Sequence, residues 1–452
     1  MPAIQGILHD AKMTETGAEF QPHELPVPGA QIDPRSEALA ATIDELALRG
    51  VPDSRQTLLV GGGLGQRLGQ RELEGLLPPP RARAFRGHVL VHDVEDPALV
   101  PIAEWEGSAV RIHPAITDAD LVVVVGAAET VLHGGPGALV SACDAATVRR
   151  AAGVDSLVEA SGAPEWSLAL HVEQAVAERV GLIGVSLVLD LPRLTGSFHG
   201  YPDEPDSLDR VARSPLRRVF SLLPAGARRD VLRRQGRRLA ATAAFAGTPS
   251  VAHAEALLRG VELRGTRLSA PVDALVVGVP WAGPHVPREP VNAVTAAALV
   301  LGLALRLRRD EFPIEPGGTL VLLHPLTRSF GGGAQAPYAA MFRALRTAQR
   351  AEELVEAERL AESDARAQEA YRAGRTCHPL LPFADWAGCA PTLRRVGRVL
   401  VAGSRDAVAA RTLGFVPTRG IGSALEMAHG VAGGHARIGI LLAPPYAPLI
   451  VG

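Results

Sequence analysis

The chain has 452 residues, 47% of them apolar and 21% charged, with a formal net charge of −2. This is the make-up of a globular protein with enough apolar mass for two or three cores. The balanced charge and 4% aromatic content exclude a nucleic-acid binder held by its overall field or by base-stacking platforms. Of 46 basic residues only Lys12 is a lysine. A guanidinium keeps its proton where an ammonium can lose it, so Schiff-base, pyridoxal phosphate and P-loop chemistry lack their amine everywhere beyond that residue.

Short β-branched runs alternate with longer helical ones along the chain. The polar stretch Asp10–Gln21 shows no clear periodicity, and residues 1–29 are expected to be poorly ordered. A helix is expected over Ser36–Arg49, then strands over Gln56–Val60, His88–His92 and Leu121–Val125. Helices follow at Ala145–Ala152 and Trp166–Arg179, a strand at Leu182–Leu189, and helices at Ala225–Ala244 and Val251–Arg259. Beyond them the pattern gives strand Ala274–Val279, helix Val291–Arg309, strand Thr319–Leu323 and a long charged helix over Tyr338–Ala361. Strand Val396–Val401, helix Ser423–His429 and strand Arg437–Leu442 complete the series. The alternation predicts an α/β protein of two domains, with largely parallel sheets flanked by helices and a ligand cleft between them. The first domain is placed at 30–268 and the second at 269–452.

Met1–Gln21 lacks a basic stretch followed by an apolar one, and no apolar run reaches the ~20 residues of a membrane helix, so a cytoplasmic protein without a membrane partner is expected. Ten arginines fall between Arg210 and Arg238, but acidic residues stand beside or among them and a solvated helix face is expected. Cys143, Cys377 and Cys389 are too scattered for a zinc site. His88 and His92 have the spacing of metal ligands on a helix, but on a strand they lie about 13 Å apart, and no metal site is expected. His324 and His378 each precede a proline and are read as loop punctuation.

Two glycine turns follow strands. Gly61-Gly62-Gly63-Leu64-Gly65 could cradle an anion with its backbone N–H groups, although Gln66 or Leu68 fills the last slot of a G-x-G-x-x-G frame. The second turn follows the valine-rich strand that ends at Gly126 and reads His133-Gly134-Gly135-Pro136-Gly137. A histidine just past a strand end suits general-base work near neutral pH, although such a histidine taken alone is more often a satisfied loop residue. The segment Pro280–Pro290 also lies beyond a strand end, where open α/β sheets bind ligands.

The order of these segments resembles that of the lactate racemase family, whose members interconvert 2-hydroxy acids with a nickel-pincer nucleotide. Ile32-Asp33-Pro34-Arg35 is similar to that family's Asp-x-Thr-Arg-Pro, and Leu59 to Leu73 to its Ala-Thr-Gly-x-His-Arg…Glu-Leu stretch. Val91-His92-Asp93, then Asp118-Ala119-Asp120 and its strand, follow the family's middle section. His133-Gly134-Gly135 resembles its histidine followed by Gly-Gly-x-Lys. Asp273, Gly317-Gly318-Thr319, Glu426-Met427-Ala428 and Ala443-Pro444-Pro445 continue the likeness.

The resemblance implies His133 as a catalytic base, Arg35 and Arg67 as substrate-carboxylate ligands, and Gly63, Gly65, Gly134 and Gly135 as cofactor-binding positions. It also shows departures. The lysine that holds the pincer should fall near Gly137, the nickel-ligating histidine between Asp144 and Leu157, and a second base where Gly65 or Gln66 stands; none is present. A further lysine, near the start of the Val291 helix, is also missing. The cofactor is therefore unassigned. The leading reading is a diverged lactate racemase-like protein that binds a small carboxylate or nucleotide-like ligand between its domains. Two others stand beside it: an active racemase or epimerase with a non-covalently held or different cofactor, and a pseudoenzyme that meets a protein partner through the Tyr338–Ala361 helix.

Overall fold

The computed structural model describes residues 3–8, 33–159, 163–190, 193–194, 205–224, 227–228, 237–238, 240–279, 291–348, 350–441 and 447–452. Its first half is built on a six-stranded sheet of β1 (Ala3–Leu8), β2 (Gln56–Gly61), β3 (His88–Val91), β4 (Leu121–Ala127), β5 (Gly181–Leu189) and β6 (Ala241–Gly247). The spatial order is β6-β5-β4-β1-β2-β3. β2 pairs parallel with β3, and β4 with β5. β1 runs antiparallel between β2 and β4, with Ile4 opposite Val60 on one side and Val125 on the other. A strand thus stands inside the segment expected to be poorly ordered. Its few apolar residues make a weak signal alone, but they fill a slot whose neighbours leave their backbone groups unpaired without it.

The valine run of β4 is buried on both faces. Val122 and Val124 pack with Leu139 of α2 (Gly135–Val140) and Leu168 and Val172 of α3 (Pro164–Ala177). Val123 and Val125 face Leu39 and Ile43 of helix α1 (Pro34–Leu48). A two-residue side-chain period between two helical layers gives the continuous apolar strand of a covered sheet. Asp33 starts the Pro34–Leu48 helix by accepting the Arg35 N–H at 3.0 Å, with Pro34 at its first position.

After helix α4 (Pro249–Arg264) the second half forms two all-parallel sheets. Three-residue strands β7 (Thr266–Leu268) and β9 (Arg308–Asp310) flank the C-terminal β14 (Leu449–Val451). The main sheet contains β8 (Val272–Gly278), β10 (Ile314–Leu323), β11 (Arg398–Ala402), β12 (Val416–Thr418) and β13 (Ile438–Leu441), ordered β12-β11-β10-β8-β13. Leu320, Leu322, Val399 and Val401 face Val300, Phe342 and Trp386, whereas Val321 and Leu400 face Ala424.

The expected strands are all present with slightly shifted ends; Leu442, like Pro280–Pro290, lies outside the described residues. Three helices end differently. Ala241–Gly247 is strand β6, not the end of an Ala225–Ala244 helix, because the edge of β5 takes it as a partner and Ala243 and Phe245 pack with Val188, Ala256 and Leu257. The Val291 helix passes through a π turn at Ala298–Ala304 and stops, since Arg308 pairs with Leu449 in β14. The long charged helix is two pieces, Ala336–Ala344 and Val355–Glu362, interrupted where Glu353 and Arg350 cap a new turn. It offers no single charged face of 24 residues for a partner. Among the described residues no helix is long and apolar enough to cross a membrane.

Two polar seams join the halves. In one, Leu64 O accepts the His378 N–H at 3.0 Å, Gln66 Nε2 donates to Gly374 O at 2.8 Å and Arg67 Nη1 to Arg372 O at 2.8 Å. His378, fully buried, accepts the Leu380 N–H at Nδ1, which leaves the neutral ring's proton on Nε2 to donate to Glu95 Oε1 at 2.9 Å. The loop histidine is thus also a buried joint between the two halves of the chain. In the other seam Asp155 receives Arg308 and Arg395, each at 2.7 Å, and the Leu157 N–H donates to Arg306 O at 2.7 Å. Burial raises the Asp155 carboxyl and the two guanidinium groups more than offset it, so its pKa lies below the usual value.

Candidate functional site

Both glycine turns stand at the carboxyl edge of the N-terminal sheet and face the second half of the chain. The first turn is gripped by Gly374 and His378 through the bonds above. The second packs Leu132 with Val154, Leu157, Leu303 and Leu307. The N-terminal end of the Pro34–Leu48 helix reaches the same edge, where Ala38 packs near Ala127. Arg35, Gly61–Gly65 and the His133 turn thus lie along the carboxyl edge of one sheet, the edge at which open α/β sheets bind ligands.

His133 is exposed and its ring is oriented by Thr130, whose Oγ1 lies 2.6 Å from Nδ1 and also accepts the His133 N–H at 3.2 Å. Beneath it lies His253 of α4, fully buried, with Nε2 2.9 Å from Thr130 O. Burial pushes the His253 pKa down to about 4, so the ring is neutral at pH 7 and its Nε2 carries the proton to that carbonyl. Sequence reasoning missed His253 and Thr130. The available signal was a histidine set within the apolar stripe Ala252, Ala256 and Val261.

The glycines after His133 have packing reasons. Gly134 has φ +107°, and a Cβ there would stand 2.8 Å from Ala127 O and 2.9 Å from His253 Cε1. At Gly135, φ +48°, a Cβ would meet His253 Cβ at 2.4 Å and Pro249 O at 2.9 Å. At Gly137 it would lie 2.1 Å from Leu132 O. The turn is folded tightly onto α4, and only glycine permits that approach.

Arg35 is engaged with its own cap: Nε donates to Asp33 Oδ1 at 2.9 Å and Oδ2 at 3.1 Å. Burial raises the Asp33 carboxyl and the guanidinium more than offsets it, leaving its pKa below the usual value. Arg67, besides Arg372 O, donates to Val91 O at 3.3 Å and stands 3.8 Å from Asp93. It belongs to the first seam. Gly63, φ +50°, and Gly65 shape the turn that the seam grips; Gly65 N donates to Gly62 O at 3.0 Å. His92 is buried with Nε2 2.8 Å from Cys143 O, and burial brings its pKa down to about 4. It supports the core below the rim.

Among solved structures, the lactate racemase apoprotein from Thermoanaerobacterium thermosaccharolyticum matches over 93% of this chain and 84% of its own, with a TM-score of 0.58 at 13% identity. This protein has the lactate racemase fold. A Thermotoga maritima protein matches over 92% of this chain and 90% of its own, at 10% identity and a TM-score of 0.48. No family model and no curated protein matches the sequence.

The lactate racemase fold raises the question of a lysine-held nickel-pincer, and the residues here do not fit one. No lysine follows Lys12. At Gly137, where the resemblance places the anchor, a backbone carbonyl occupies the space of any side chain. Among the described residues no three His, Cys, Asp or Glu side chains converge as a metal site would need.

Proposed function

We propose that this protein binds a small carboxylate of the 2-hydroxy acid class at the rim of the N-terminal sheet, between the domains, and does so without a lysine-tethered pincer. The observation that carries this reading is the His133 turn: a solvent-facing imidazole fixed through Nδ1, on a lactate racemase fold, beside an anchor position that has no room for a side chain. In the proposed complex His133 meets the substrate hydroxyl. The N-terminal end of the 15-residue Pro34–Leu48 helix supplies the positive dipole that attracts the carboxylate, and Arg35 meets it there only by exchanging its own Asp33 partner for the ligand. Arg67, committed to two carbonyls, holds the rim in place instead.

Calorimetric titration with D- and L-lactate tests this. We expect saturable binding of one ligand per chain with a Kd of about 1 mM, roughly −4 kcal/mol, weakened at least tenfold by His133→Ala. No saturable heat at tens of millimolar, or equal binding by the variant, contradicts the proposal.

A further inference from the structure

A second candidate site lies in the C-terminal domain and shares no residue with the His133 rim. At the amino edge of the sheet, where β11 and β12 begin, there is a cavity of about 430 Å³, within the ~300–1,000 Å³ range of small-molecule sites. Its floor is apolar and aromatic. Trp386, Leu413 and Phe415 are all nearly fully buried, and the two rings stand 6.4 Å apart. Its rim carries Arg394, which is exposed, and Arg398, which is half-buried.

The charge of this rim is not answered by the protein. Among the described residues the guanidinium group of neither Arg394 nor Arg398 has an acidic or hydrogen-bonding partner. The nearby carboxylate of Asp155 is taken by Arg395 and Arg308. Arg350, also on the rim, is spent on Glu353 at 2.7 Å, leaving Glu352 as the carboxylate among the lining residues. Arg394 has an ordinary reason to be there, since the last turn of helix Leu381–Arg395 favours a cation. Arg398 opens a strand and has no such reason. A guanidinium binds carboxylate or phosphate oxygens through paired N–H donors, and two of them open onto this one cavity.

We infer that this cavity binds an organic anion with an apolar body, its anionic head on Arg394 and Arg398 and its body on the half-buried Leu393 and Val396, with Trp386 and Phe415 packed beneath. The inference stands whether or not lactate binds at His133. The test is calorimetry on the full chain with three probes: 1-naphthoate, its neutral amide and inorganic phosphate. We expect one naphthoate per chain, with the amide and phosphate each at least tenfold weaker. The double substitution Arg394→Met and Arg398→Met should weaken naphthoate at least tenfold while lactate binding is unchanged. Equal binding of acid and amide, phosphate binding as tight as naphthoate, undiminished binding by the double variant, or no saturable naphthoate binding overturns it. Should the variant fail to fold, the comparison of probes on the native protein decides.

Discussion

Replacing Gly137 by lysine is expected to destabilise the protein by at least about 3 kcal/mol and to create no cofactor anchor. The Cβ would sit 2.1 Å from Leu132 O and 2.6 Å from Leu132 C. Both are backbone atoms, so no side-chain rotation relieves the overlap, and overpacking of this kind costs about 1–3 kcal/mol or more. Helix α2 would have to lift from the His133 turn, carrying Gly134 and Gly135 away from His253. Gly62 offers the control. A Cβ there meets nothing within 4 Å, so Gly62→Ala should stay within about 1 kcal/mol of the native protein. Urea unfolding followed by circular dichroism separates the two. A Gly137→Lys protein of native stability would show that the turn has slack, and the argument from lack of space would fail.

The second large effect is expected at Arg306. It is almost fully buried and has no carboxylate in contact among the described residues; its Nη1 donates to Gly302 O at 3.1 Å and Gly388 O at 3.2 Å, and its Nη2 to Val154 O in the first half of the chain. Burial pulls its pKa down to about 10, yet the charge persists at neutral pH. The π turn Ala298–Ala304 and the close approach of Gly302 to Gly388, where an added Cβ would come within 3.5 Å, leave room for the side chain between two helices and the first domain. Arg306→Met would leave three carbonyls without this donor in a closed junction. At ~1–3 kcal/mol for each unsatisfied buried group, relieved in part by relaxation, the loss should reach about 3 kcal/mol or more. Arg306→Lys should recover less than half of it, because one ammonium cannot reproduce the planar fork. The urea midpoint of Arg306→Met is the measurement; an unchanged midpoint would mean the junction contributes nothing to stability.

The fold was legible where one element made its own pattern. The β4 valines and the body of the Pro34–Leu48 helix announced themselves because their signals are local, although the helix was expected to begin at Ser36, two residues inside its Asp33 cap. β1 and β6 were not legible, because each becomes a strand only through the neighbour it completes, and alanines such as Ala241 and Ala244 favour helix until the β5 edge claims them. The Tyr338–Ala361 helix looked continuous because its charge pattern runs on across a break that a new cap at Arg350 imposes. The rim was legible in part. His133 and both glycine turns could be named from the order of segments, but position along the chain does not show what a side chain is already bonded to. Arg67 looked like a substrate ligand and is a seam residue. His378 looked like punctuation and is a buried joint, since its partner Glu95 is 283 residues away. His253 left almost no trace, being one polar residue in an apolar helix face.

Whether a prosthetic group is tethered at this rim can be weighed directly. Intact-mass spectrometry and metal analysis of the protein purified from its native host should return the mass of the bare polypeptide and no stoichiometric nickel. A covalent increment of pincer size, held on any side chain and accompanied by one nickel per chain, would contradict the account and make the protein a working racemase with a different attachment.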